Sequence, residues 1–177
     1  PWAQGYDGTG WAVAVLDSGV QTSHPYLAGK TIAEACFSTT NAGQNSVSVC
    51  PNGLSTSGTT PGQSGAGSGV NCSLAVDGCE HGTHVAGIAV GRDYAGGPGY
   101  DGMARGASLI AIQVFSRFTT VAACGGPAPC ILSFGSDQLA ALQYLYTTIR
   151  PSFGNIASAN MSLGGGQNLA TCDASNA

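Results

Sequence analysis

Three apolar runs limit the fold of this chain more than any other feature. Trp11 to Leu16 is uninterrupted and closes in Asp17-Ser18-Gly19. Ser108 to Phe115 has Leu-Ile-Ala-Ile-Gln-Val-Phe at its heart, and Ile156 to Leu163 runs into glycines. The first two read as buried strands and the last as a third strand of the same kind. Two helical patterns lie between them. His81 to Val90 is a helix rich in small residues, with Gly91 as its stop. In the second, Ser136 is the expected N-cap and Asp137 sits in the first turn. Leu139, Leu142, Leu145 and Tyr146 then recur at three- and four-residue spacing, up to a break at Arg150-Pro151. Strands that alternate with helices build a parallel sheet with right-handed crossovers, so the predicted class is α/β.

At 177 residues the chain is long enough for one domain with a real core, and it shows no internal repeat and no interdomain linker. Charged residues make up 8%, against about 25% in ordinary soluble proteins. The 43% hydrophobic content excludes a disordered chain. Glycine, at 28 residues, is roughly twice its ordinary share and suits tight turns and close backbone approach. Only five Lys and Arg are present, scattered singly on a chain of net charge −4, which argues against a nucleic-acid partner. No apolar stretch approaches the roughly 18 residues that would span a membrane.

Seven cysteines, Cys36, Cys50, Cys72, Cys79, Cys124, Cys130 and Cys172, sit in Gly-, Ser- and Pro-rich segments without paired C-x-x-C spacing. They read as disulfides formed in an oxidising compartment, hence a secreted protein, extracellular or periplasmic. A start at Pro1-Trp2 without Met reads as a processed N-terminus. Connectivity stays open, although proximity favours Cys36–Cys50, Cys72–Cys79 and Cys124–Cys130. Cys172 is then odd and expects a partner elsewhere. The stretch from Cys36 to Gly69 reads as a long loop tethered by cysteines, and Ala122 to Cys130 as a second one.

Sites in open parallel sheets form at the C-terminal ends of strands. Asp17 and Ser162 fall at strand ends and His81 at a helix start, so three chemically distinctive spots converge on one rim. Each has a plainer reading. A carboxylate after a strand is often a turn residue bonded to its own backbone. His81 and His84 are spaced as a metal pair to which Asp17 could be added, or as two core histidines. Asn160 to Gly166 can be a strand that ends in a glycine turn. The chemical readings are sharper. A carboxylate holds an imidazole in one tautomer, the imidazole acts as general base, and a glycine-lined strand edge pairs with an extended peptide.

Asp17-Ser18-Gly19, then His81-Gly82-Thr83-His84-Val85-Ala86-Gly87-Ile88-Ala89, then Asn160-Met161-Ser162-Leu163-Gly164-Gly165, in that order, resemble the subtilisin-like serine proteases, the subtilases. The resemblance runs from about Trp11 to the C-terminus. Gly102-Met103-Ala104-Arg105-Gly106-Ala107 is similar to the family's G-V-A-P-G-A, with Arg105 where proline is usual. The resemblance implies a subtilisin-like parallel sheet with helices on both faces, of which residues 1–177 supply the N-terminal part of a single catalytic domain. It implies that Asp17 and His81 are the triad aspartate and histidine, and that Ser162, Leu163 and Gly164 line the substrate cleft. The opposite cleft edge is expected to follow Phe115, with Cys124 to Cys130 as an insertion beside it. His84 is then a structural helix residue, and His24 matches a non-catalytic family position.

The implied activity is a secreted serine endopeptidase that works by acyl transfer on peptide or protein substrates. No cofactor and no metal enter the chemistry. The family allows a structural calcium ion, although no cluster of oxygen ligands stands out here. The family's oxyanion asparagine and its G-T-S-M-A nucleophile motif do not occur in residues 1–177. They are expected from the C-terminal part of the domain, where Cys172 would find its partner. The alternative is a catalytically inactive, truncated relative that keeps a peptide-binding strand edge. Against it, half a sheet would expose apolar surface and an open edge.

Overall fold

Parity along two strands sets the architecture. In Ala12–Asp17 (β1) and Ser108–Gln113 (β5), paired in parallel register from Ala12 beside Ser108 to Asp17 beside Gln113, successive side chains point to opposite faces. Ala12, Ala14, Leu16, Ile110 and Ile112 enter one core, Val13, Val15, Leu109 and Ala111 the other. Both faces are therefore apolar, which is why these runs carry no polar alternation.

The computed structural model describes residues 2–165; Cys172 and Gly166, on which expectations were placed above, lie outside the described residues. Two further parallel strands flank the pair. Thr31–Cys36 (β2) lies beside β5, and Ile156–Asn160 (β8) lies beside β1. The two-residue strand Gln63–Ser64 (β4) adds antiparallel to β2, giving the order β4-β2-β5-β1-β8. Helix His81–Val90 (α1) covers one face through Val85, Ala86 and Val90. Helix Gly135–Tyr144 (α3) covers the other through Ala140 and Ala141, continued by Leu145 and Ile149. The sheet is the expected α/β sheet with helices on both faces, made mixed by its antiparallel edge.

The segment from Cys36 to Gly69 is less irregular than its composition suggests. Ser46–Ser48 (β3) joins Ser116–Phe118 (β6) and Cys130–Leu132 (β7) in a second, antiparallel sheet of order β3-β6-β7. The short helix Val121–Cys124 (α2) links the last two strands. Three disulfides, Cys36–Cys50, Cys72–Cys79 and Cys124–Cys130, pair as proximity favours. Cys36–Cys50, with a sequence separation of 14, closes a loop whose cross-linking stabilises the fold by about 3 kcal/mol on chain-entropy grounds. Cys72, Val76 and Cys79 pack with Val49 and Ile131. This joins the small sheet to the segment that leads into α1.

The second helical pattern departs from expectation at both ends. Helix α3 begins at Gly135 with Phe134 at its N-cap position and no side-chain cap, so Ser136 is inside the first turn. Leu139 and Tyr146 are exposed, and the close contact with the sheet is made by Ala140 and Ala141, whose small side chains let the backbones approach. Nor does Arg150-Pro151 end the helix. A π-helical turn, Leu145–Ile149, leads into Arg150–Phe153 (α4). Pro151 then falls in the first turn of α4, where a missing N–H costs little. Gly154, at φ +72°, closes the run.

Asp137, in the first turn of α3, is buried and accepts from the Thr39 backbone N–H (3.0 Å) and hydroxyl (2.8 Å). Burial still pushes its carboxyl above the ordinary range, against the opposing pull of those bonds. A group whose folded pKa is raised favours the folded state in acid and loses that contribution as pH rises toward the folded value. Denaturant midpoints of the Asp137→Asn variant should therefore gain on those of the parent as pH rises through and above the ordinary carboxylate range. A gap that stays constant over that range would contradict this account.

Candidate active site

Parity also places the acid. Asp17, Val15 and Val13 share a face of β1, and that is the face α1 covers. Asp17 ends the strand fully buried, and His81 begins the helix with its side chain 47% exposed. Asp17 Oδ1 lies 2.8 Å from His81 Nδ1 and accepts a second bond from the Ser18 N–H at 2.7 Å. Among the described residues His81 Nε2 and Asp17 Oδ2 have no hydrogen-bond partner. The pair thus has a buried anionic end, an oriented ring and an outward nitrogen, the arrangement in which an imidazole takes a proton from an alcohol.

The helix reaches this position because its N-terminus is capped from the strand. Glu80, at the N-cap position, makes no side-chain cap. Instead the buried Ser18 hydroxyl accepts from the Gly82 N–H at 3.0 Å. Gly82 permits the approach, since a Cβ there would overlap the Gly19 carbonyl and press on Asp17. Gly19 itself, at φ +82°, turns the chain away beneath Val70.

The remaining sequence candidates divide. Ser162, Leu163 and Gly164 follow the C-terminal end of β8 on the same rim as Asp17. Their backbone groups make no backbone hydrogen bond among the described residues. The Leu163 side chain packs against the α3-side core, which leaves the backbone groups of the segment at the rim. Ser162 Oγ is 3.3 Å from Asn160 Oδ1 and is not bonded to the Asp17–His81 pair. The strand that follows Phe115 is not a free edge, because β6 pairs with β3 on one side and β7 on the other. His84 is exposed, which overturns the core-histidine reading. Among the described residues no three His, Cys, Asp or Glu side chains gather as a metal-holding group, so Asp17, His81 and His84 do not form one. His24 is half-buried, its Nδ1 accepting from the Tyr26 N–H at 3.2 Å. No described helix is long and apolar enough to cross a membrane.

Ser18 and Gln113 are the residues that sequence reasoning passed over. Ser18 was legible only as part of a motif. Gln113 was the one polar residue in an apolar run, a signal that was present and unused.

Comparison with known proteins identifies the family. The model of the subtilase family matches residues 8–125. Bacillopeptidase F of Bacillus subtilis (strain 168) is 33% identical over 116 residues, 66% of this chain. The chain spans 7% of the length of that relative. The family match covers about two thirds of the chain, including the Asp17 and His81 motifs, and the chain belongs to the subtilase family.

Proposed function

We propose that this chain supplies the acid and base of an Asp-His-Ser triad in a secreted serine endopeptidase. The observation that carries the reading is the 2.8 Å contact between a fully buried Asp17 carboxylate and a His81 ring half-exposed at the rim. In the reaction, His81 Nε2 takes the proton from a serine hydroxyl as its oxygen attacks the scissile carbonyl carbon. Asp17 holds the Nδ1–H tautomer and stabilises the imidazolium. His81 then returns the proton to the leaving amine, and water releases the acyl group by the same route. The serine and the oxyanion donor come from polypeptide beyond residue 177. Ser162, Leu163 and Gly164 supply backbone groups to an extended substrate. Secretion is supported by three disulfides, which persist in oxidising compartments.

A second reading has one observation in its favour. β8 pairs with β1 alone among the described residues, so its outer edge is open. That edge suits either the next strand of a catalytic domain or a bound peptide in an inactive relative. A fluorophosphonate probe applied to the whole gene product separates the two. The triad reading expects one labelled serine outside residues 1–177, with label and peptide hydrolysis lost together. A product that binds peptides but is neither labelled nor hydrolytic would establish the inactive relative.

A further inference from the structure

We propose that Gln113 is a positioning residue for the Asp17–His81 pair, acting through the carbonyl of Ser18. The inference rests on the triad reading above and adds to it a residue outside the three recognised motifs. Gln113 ends β5 and is fully buried, the one polar residue of the buried run from Leu109 to Val114. A buried amide is costly unless both its ends are bonded. Here both are. Its Nε2 donates to the Ser18 carbonyl at 2.7 Å, and its Oε1 accepts from the Phe115 N–H at 2.6 Å. A carbonyl can only accept and a backbone N–H can only donate, so the two partners fix which end of the amide is which.

The place of this clamp gives it a role. Gln113 is the register partner of Asp17, on the same face of the sheet. Ser18 is the unit through which the acid and the base are held together. Its N–H donates to Asp17 Oδ1 and its hydroxyl caps the Gly82 N–H of the helix that carries His81. Asp17 Oδ2 has no partner among the described residues, so the carboxylate is oriented through Oδ1 alone, by Ser18 and His81. Besides Gln113, the Ser18 carbonyl accepts, among the described residues, only from the Cys72 N–H, at a longer 3.2 Å. The Asp17–Ser18 peptide unit is held on its other side by the Val114 N–H, which donates to the Asp17 carbonyl at 2.9 Å. Without the amide, the Ser18–Gly19 unit keeps only the longer Cys72 bond, and rotation about the Ser18 Cα that this permits shifts the hydroxyl that caps the His81 helix. Packing gives no reason for an amide at this position, since methionine fills a similar volume.

The test uses the whole gene product and the variant Gln113→Met. Peptide hydrolysis should lose about 10–100-fold in kcat with KM nearly unchanged, the signature of a displaced catalytic pair. The far-downfield proton resonance of His81 Nδ1 should shift or broaden in the variant. A variant that keeps the parental kcat and the parental His81 resonance overturns the inference, whatever its stability. In the parent, the side-chain amide protons of Gln113 should exchange slowly. Exchange as fast as that of an exposed glutamine overturns the inference even where Gln113→Met does not fold. Should His81→Ala leave hydrolysis intact, the triad reading fails, while the effect of Gln113→Met on the His81 resonance still decides the positioning.

Discussion

Replacing His81 by alanine should lower kcat for peptide hydrolysis by about 10⁴-fold or more and leave KM close to the parental value, the scale that loss of the triad imidazole has in related serine proteases. The reason is local. His81 is the only imidazole in contact with Asp17, and its second nitrogen has no partner among the described residues. Among the described residues no other imidazole stands by Asp17 to take over the proton. His84, one turn along the same helix, is exposed and has no bond to Asp17. His84→Ala should therefore stay within about threefold of the parent, within the range of a surface change. Steady-state kinetics on one peptide substrate checks both. Equal losses in the two variants would contradict the assignment of the base.

The second large effect is expected at Gly82. A methyl group there overlaps the Gly19 carbonyl in the turn after β1 and comes within 3.0 Å of the Asp17 Cβ at the buried end of the strand. The helix must lift away from the strand. That strains the Ser18 cap and separates His81 from Asp17. Gly82→Ala should cost about 3 kcal/mol, at the upper end of overpacking effects, and lower the melting temperature by about 5–10 °C. Gly87, in the same helix, makes a useful contrast. A Cβ at Gly87 meets only the Tyr26 ring, at 3.4 Å, an ordinary contact. Gly87→Ala should be neutral or gain up to about 1 kcal/mol from helix propensity. Thermal melts of the two variants decide the matter, and similar losses would sink the steric account.

These two glycines mark where reading the chain stops. Both stand in a helix pattern, and nothing in the local sequence distinguishes them. The strands β1 and β5 and helix α1 were legible because burial on both faces, or in a small-residue contact, leaves a continuous apolar pattern. Strand β2 was not. Its first four residues, Thr31 to Glu34, are partly or fully exposed near the sheet edge and only Ala35 and Cys36 are buried, so the apolar signal is broken. The small sheet was not legible either, since three-residue strands are shorter than any window in which period two can be recognised. Its strands are held by long-range hydrogen bonds and by disulfides at the ends of the loops.

The exposure of Leu139 and Tyr146 has a packing cause. The sequence pattern weighs large apolar residues, whereas the sheet selects small ones for close approach, and Ala140 and Ala141 do the packing. For the candidate site, the order of the motifs was enough to nominate Asp17 and His81, because their chemistry is carried by residue type and local context. Their distance was not in the sequence. It is decided by the parity of β1, by the cap that Ser18 lends to α1 and by the absence of a side chain at Gly82.

The amino-acid sequence by itself determined the class of fold, the disulfide-rich character and the pair of residues that could exchange a proton. Tertiary structure alone decided that the carboxylate meets the ring at 2.8 Å, that the edge after Phe115 is already paired, and that Gln113 lies beside the acid. The physical reason is that strand and helix patterns are set by neighbours in sequence, while each of these contacts joins residues far apart in the chain.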